Sequence, residues 1–514
     1  KKRKKRGKKC GCFVLGAGKG GLRAAASSAR MGKKTLLIER HNLAGGAATS
    51  FIRGRFEFEV ALHELCEYGH ADNPRAVRKM YDWLGANVKM QELPDTYRYI
   101  IYGKDGFDVK MPAGRENFIN AMEKYVPGTS EKMEKLFDLC EQSMNALAEI
   151  ADGKDKKEVI KKYPAFIEYA TKSWDDVLNK LKLPKKAQQI LGAYWCYIDI
   201  PTDEFEFPYF ATMLATYVEN DAYIPQRRSH DMSTALAQVI YDNGGDVWLS
   251  TTVEKILVEN GQAVGVQIKG EKVFAKEVIC GITPHAVYGN MMDQKCIPEY
   301  ALKYANSHKL GTSAFLVYLG LNKSCRELGI NDYSVFIAST GDTRKQYENC
   351  KTMDKNDFMI MNCLNTVIPN ASPKGISVCY ITKLVDDGVW DNVKPKDYEK
   401  LKVKIAKNAI DEYEQATGIK ISDSIEEIAI AAPPTFARYM GTPDGEIYGY
   451  HCAPWDQIIG RSMDLKNVVN PLPHLYFCGG HGFMCDGYNV SYTTGLTAAK
   501  IAVSDINNMG ADHE

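Results

Sequence analysis

The residues with the clearest chemical purpose are Gly16-Ala17-Gly18-Lys19-Gly20-Gly21 and, 18 positions past the last glycine, Glu39. Glycines in this spacing bring a backbone turn against a pyrophosphate, and an acid at that distance accepts the ribose hydroxyls of an adenosine. Gly16 permits the tight turn, Gly18 lets the main chain approach the phosphates, and Gly21 allows close packing of helix on sheet, with Gly20 inside the same turn. The pattern has meaning only when the right elements carry it. Phe13-Val14-Leu15 reads as a buried strand, Leu22–Ala29 as a helix with a small-residue face, and Thr35–Ile38 as a second strand ending in Glu39. The N-terminus of that helix offers unpaired N–H groups and a positive dipole end to an anion. Gly45-Gly46, just past the second strand, frees another loop to reach the same ligand. Up to this point NAD, NADP and FAD fit equally.

Further along, Phe56–Val60 alternates like a strand with one buried face, and Asp72-Asn73-Pro74 opens a helix that Gly85 stops. Residues 114–192 are helical in pattern. Thr129-Ser130-Glu131 opens one helix that runs to Asp152-Gly153, and Ser173-Trp174-Asp175-Asp176 is a capping box for another. Strand character returns near residue 247, where Val253–Val258 and Val264–Ile268 flank Asn260-Gly261, a hairpin turn signal. Val278–Cys280 follows as a short buried strand. Between 301 and 440 the strands Ser313–Leu319 and Ile376–Leu384 alternate with helices such as 396–416. Leu475–Phe477 is a last strand running into Gly479-Gly480, and a final helix lies near Thr494–Ala502.

A chain of 514 residues exceeds one ordinary core, so two domains are expected. Fourteen cysteines without CxxC pairs or metal-ligand spacing read as reduced thiols, and no metal site is expected. No apolar run is long enough to span a bilayer and no apolar leader is visible, so the expected location is cytoplasmic, with peripheral membrane contact left open. The net charge of +1 hides eight lysines and arginines within residues 1–9, which leaves −7 for the rest. Such a run suits anionic lipid, nucleic acid or an import receptor; it reads here as a disordered basic arm, and no nucleic-acid partner is expected.

With these elements in order, the chain resembles the phytoene desaturase, carotenoid isomerase and retinol saturase family of FAD-dependent proteins. The resemblance runs from residue 12 nearly to the end. It rests on Gly16–Gly21, on Glu39 through Phe51, on Gly54–His63, on Gly244-Gly245 through Val266, on Pro434–Tyr439 with Gly445–Gly449, and on Leu475–Gly480 with Gly495. It implies an α/β protein: a Rossmann-type FAD-binding domain of the flavin amine oxidase/glutathione reductase-like kind with an interleaved α+β substrate domain. The FAD-binding domain would comprise 10–75, 226–300 and 441–514, and the substrate domain 76–225 and 301–440. In the implied site Gly16, Gly18, Gly20 and Gly21 serve the pyrophosphate, and Glu39 with Arg40 the adenosine side. Gly45, Gly46 and Ala47 run along the pyrophosphate and ribityl, and Val253 meets the adenine. The loop Gly479, Gly480, Asp486, Gly487 and Tyr488 meets the isoalloxazine. Two departures stand out. The family has Gly-Asp where this chain has Gly479-Gly480, with Asp486 nearby, and Ala61 replaces a glycine in the family's G-x-H segment.

A flavin moves a hydride at N5, so the second hydrogen travels as a proton and needs an acid or base beside the reacting bond. The candidates are His63 with Glu64, the cluster Arg227, Arg228, His230 and Asp231, and His481, with Tyr488 in reach of the same region. The aromatic stretch from Tyr194 through Tyr223 suits either an apolar substrate or an ordinary core. The expected function is desaturation or saturation of carbon–carbon bonds in a hydrophobic polyene, isoprenoid or lipid-like substrate, with an external electron carrier. The alternatives are a redox-neutral double-bond isomerase, an amine-oxidase-like flavoenzyme, and a non-catalytic escort of the same fold.

Overall fold

The computed structural model describes residues 10–103, 106–151, 153–463, 465–484 and 487–511. The basic arm 1–9 and Asp486 lie outside them. The first sheet is built on five parallel strands in the order Leu475–Phe477, Glu271–Cys280, Cys10–Leu15, Thr35–Ile38 and Asp246–Trp248. The strand expected at Val278–Cys280 therefore starts seven residues earlier, at Glu271. Its first half pairs with the hairpin Lys255–Glu259/Gln262–Ile268, whose turn residues Asn260 and Gly261 take φ of 50° and 74° as the Asn-Gly signal requires. The helix Lys19–Arg30 packs between Ser229–Asp242 and Tyr488–Ala511. The last helix thus begins six residues before the expected Thr494.

The second sheet has seven strands in the order Ile425–Ala431, Ser313–Leu321, Ser377–Val385, Met359–Cys363, Ser334–Ala338, Asp95–Ile101 and Phe107–Pro112. One face packs on the helices between Arg115 and Glu219, the other on Pro395–Thr417. Both faces are buried, which is why Ser313–Leu321 and Ser377–Val385 are buried at every position rather than alternating. Ser173 closes the capping box with Asp176, and Gly85 ends its helix in the left-handed region. Most of the aromatic stretch is core: Tyr194, Trp195, Phe205, Phe207 and Phe210 are buried, while Tyr197 and Tyr209 are half-buried. The described cysteines are free thiols. Among the described residues no helix is long and apolar enough to cross a membrane.

Candidate functional site

The glycine turn sits at the carboxyl ends of the parallel strands, where open α/β sheets receive ligands. Each glycine answers to a specific neighbour. Gly16 has a φ of +83°, and a Cβ there would lie 2.5 Å from Ile282. A Cβ on Gly21 would overlap the Gly16 carbonyl, and one on Gly20 would lie 2.7 Å from the Gly479 amide. Gly18 is different: a Cβ there meets only the Gly281 oxygen, at 4.0 Å. Packing thus explains three of the four glycines, and Gly18 faces open space. It is also the N-cap of Lys19–Arg30, contributes no capping side chain, and is followed by no acid in the first turn. The orphan N–H groups and dipole end of that helix are left for an anion. Gly45 donates its amide to Ala17 O at 2.7 Å, and Gly46, with φ of +60°, lies against Gly18.

Glu39 accepts from the Ala17 amide at 2.7 Å and the His41 amide at 2.8 Å, which aims its carboxylate at the turn and leaves lone pairs for further donors. The segment leading to the buried Val253 before the hairpin is tied to it, since Thr251 N donates to Glu39 O at 2.9 Å. Arg40 donates to the carbonyls of Arg438 and Tyr439 and so caps the helix Pro433–Met440. At the far end, Gly479 is held by Thr494, whose hydroxyl accepts its amide at 2.9 Å. Gly480 O accepts from Tyr450 N, and Tyr488 OH donates to Ala47 O at 3.4 Å, joining the last turn to the Gly45-Gly46 loop. The glycines, Glu39, Ala47, Gly479, Gly480 and Tyr488, drawn from both ends of the chain, therefore share one rim, with Val253 two residues past Thr251. Geometry of this kind fits a dinucleotide laid across the strand ends.

His63 and Glu64 lie elsewhere, on the inner face of the second sheet. His63 Nε2 is 2.8 Å from Thr382 Oγ1 and its ring stacks on Tyr380 at 5.6 Å. Burial lowers its pKa to about 4. Glu64 is 6% exposed, and burial pushes its carboxyl up to about 8 against the hydroxyls of Tyr194, Tyr197 and Ser334. Of the arginine pair, Arg227 is exposed, whereas Arg228 is buried with φ of +70° and donates to Glu57 O and Ala371 O. His230 meets Thr49 and Thr234, and His481 Nε2 pairs with the buried Glu446 at 2.7 Å. The candidates thus fall into separate clusters: burial shifts His63 and Glu64 both toward their neutral forms, and His481 pairs with the buried Glu446.

Three residues of this region escape a reading of the sequence. Gly281 touches Gly21 backbone to backbone and is what lets the helix approach the sheet. Glu59 receives both the amide and the hydroxyl of Ser229 and so caps Ser229–Asp242. Thr494 clamps Gly479. The only available signal was the glycine directly after the strand ending in Cys280.

The FAD dependent oxidoreductase family pattern matches residues 12–89, the stretch that holds the cradle, Glu39 and the His63–Glu64 segment. The chain is 25% identical to an all-trans-retinol 13,14-reductase of Danio rerio over 96% of its own length and 85% of the relative's. It is 22% identical to a chloroplastic prolycopene isomerase of Daucus carota, over 84% of this chain and 71% of that one. Among solved structures, an oxidoreductase of Methanosarcina mazei superposes with a TM-score of 0.63 over 95% of this chain and 99% of the other, at 14% identity, a likeness of fold. A nucleotide cradle matched by flavin oxidoreductases and an alignment that continues through both sheets agree: the protein is an FAD-dependent oxidoreductase, similar along most of its length to a retinol reductase and a prolycopene isomerase.

Proposed function

We propose that the protein saturates a carbon–carbon double bond of a long apolar polyene, with FAD held along the strand ends of the first sheet and the reacting bond between it and the inner face of the second. The observation that carries the cofactor assignment is Gly18, open on the side where its partner glycines are packed. In this reading Gly16, Gly18, Gly20, Gly21, Gly45, Gly46 and Ala47 flank the pyrophosphate and ribityl chain. Glu39 takes the adenosine ribose, Val253 the adenine, and the turn from Gly479 to Tyr488 the isoalloxazine. The segments 10–75, 226–300 and 441–514 form the cofactor domain, and 76–225 with 301–440 the substrate domain. Bound FAD supplies hydride transfer at N5.

The protein's own share is to exclude water, hold the chain and furnish the proton. His63, neutral near pH 7, acts as a positioning group through Thr382. Glu64, protonated near pH 7, is the acid. Polyene chemistry is supported by the names of the relatives, a retinol reductase and a prolycopene isomerase. An external two-electron donor closes the cycle, and reversible contact of a cytoplasmic protein with a membrane surface gives access to such a substrate. The isomerase similarity favours one second reading, a redox-neutral shift of double-bond geometry. Anaerobic incubation of the flavin-reduced protein with a polyene panel decides between them. Saturated product with matching flavin oxidation supports the first, and isomerised product with none supports the second. A colourless protein releasing no flavin on denaturation removes both.

A further inference from the structure

The chain from Val60 to Glu64 is pinned to the second sheet by a set of tyrosine hydroxyls. Tyr318 OH donates to Val60 O at 2.8 Å, Tyr380 OH to Leu62 O at 2.6 Å, and Tyr333 OH to His63 O. Beneath this segment the strand register places Ser334, Asn362, Tyr380 and Tyr318 side by side across four strands. A polar row of this kind is unusual in the interior of a sheet whose neighbouring positions are apolar. The tyrosines in it are satisfied. Ser334 Oγ and both polar atoms of the Asn362 side chain are buried without a protein partner.

Glu64 meets this row at its Ser334 end. Its Oε2 accepts from Tyr194 OH at 3.2 Å, and the same hydroxyl lies 3.1 Å from Thr96 O. Its Oε1 is buried and closes no hydrogen bond, although the Ser334 and Tyr197 hydroxyls face it. Directly behind Ser334 is a small pocket of about 10 Å³, room for about one water, walled by Thr96, Tyr97, Tyr333 and Ser334. Its outer rim is the ion-pair network of Arg98, Lys110, Asp95 and Asp332. From solvent inward the order of residues is thus the charged rim, the water-sized pocket, Ser334 and Glu64.

We propose that this is a proton inlet, through which Glu64 is reprotonated from solvent after each turnover by way of Ser334. The proposal rests on the redox reading above. In the reaction the π bond of the substrate breaks, one carbon receives hydride from reduced flavin, and the other receives the Glu64 proton. Oxidised flavin and a carboxylate remain. The external two-electron donor restores the flavin. The carboxylate takes the Ser334 hydroxyl proton while that oxygen takes one from pocket water, and the water is reprotonated from bulk solvent, so serine and water end unchanged and the net proton comes from solvent. The other titratable groups facing Glu64 are Tyr97, Tyr194, Cys196, Tyr197 and Tyr333, all held in their protonated forms by burial, so none competes for the proton. The inlet also reconciles two demands on a flavin site, a dry reacting bond and a supply of protons.

The test is infrared difference spectroscopy of the full chain, purified with its flavin, on transfer to deuterated water. A protonated-carboxyl stretch absent from Glu64→Gln identifies the group. In the wild type this band is expected to shift to its deuterated position within the mixing time. Ser334→Val is expected to slow the shift by about tenfold or more, the cost of one lost relay hydrogen bond, and Ser334→Thr to restore it. An unslowed Ser334→Val overturns the proposal, as does a wild-type band that stays unexchanged for hours, a result that needs only the Glu64→Gln assignment and no Ser334 variant. Because the exchange is read without turnover, the two readings fail separately. A protein that carries no flavin but exchanges through Ser334 ends the redox reading alone, and a flavin-loaded protein with a sealed carboxyl ends the inlet alone.

Discussion

Glu64 and His63 are neighbours in the chain, and burial shifts them in opposite directions to the same end, since it disfavours the charged form of each. For Glu64 the consequence is a stability slope. Its folded pKa of about 8 lies above the ordinary 4.5, so between these values the folded state holds a proton that the unfolded state has lost. Stability from this group is therefore complete below about pH 4.5 and drains away by about 1.4 kcal/mol per pH unit up to about pH 8. Melting curves between pH 6 and 8 are expected to fall more steeply for the wild type than for Glu64→Gln; parallel curves would place the carboxyl in water. The rate has a matching signature. If Glu64 is the acid of the proposed saturation, activity is expected to decline above about pH 8, and Glu64→Gln to lose most of it at every pH, read as initial rates across the pH range. No limb from His63 is expected near pH 6.5, because its pKa is about 4. The sequence could nominate this pair but not separate it from Arg227 or His481. Which of two adjacent arginines points inward depends on the left-handed backbone at Arg228, and that conformation is set by contacts with Glu57 and Ala371 far away in the chain.

The elements that carry the nucleotide site were readable because their signals are local. A strand, a glycine turn, a helix and a second strand lie within 30 residues, and Asn260-Gly261 specifies its hairpin unaided. The glycines nevertheless divide into two kinds that sequence alone treats alike, and the division is measurable. Gly18→Ala introduces a methyl that meets no protein atom closer than 4.0 Å, at a φ of −65° that alanine accepts. The variant is expected to melt like the wild-type apoprotein and to bind FAD about tenfold or more weakly, read by flavin fluorescence titration. Gly21→Ala drives a methyl into the Gly16 carbonyl, so the apoprotein itself is expected to lose stability. Equal behaviour of the two variants would mean that Gly18 faces protein rather than ligand. The same locality explains the error at the last helix. Thr493-Thr494-Gly495 weakens the helical signal there, but the helix continues through it because it packs on Lys19–Arg30, which a local reading does not see.

That contact ties the two ends of the molecule into one site. Gly495 lies against Gly20 so closely that a Cβ would overlap the Gly20 carbonyl and sit 3.1 Å from Arg23 Cβ. The next residue inward, Thr494, holds Gly479, and Gly20 in turn needs the Gly479 backbone at its side. The beginning of the chain therefore forms the cradle only while the end is docked on it, and in the proposed site the cofactor spans both. Gly495→Ala tests this coupling. Overpacking at such a backbone contact costs about 1–3 kcal/mol, so the apoprotein should melt several degrees lower. The push should also part Gly479 from Gly20 and weaken FAD, although residue 495 is a helix-packing position. Saturating FAD at about a hundred times its Kd would return about 2.7 kcal/mol by mass action, and the stability gap to the wild type should persist under equal free FAD because the variant binds less tightly. Calorimetric melting of apo and flavin-saturated forms, with the FAD titration beside it, gives both quantities. A variant that melts lower yet binds FAD as the wild type does would show that the helix pair and the cradle are energetically separate, and that the cofactor is held by the N-terminal segment alone.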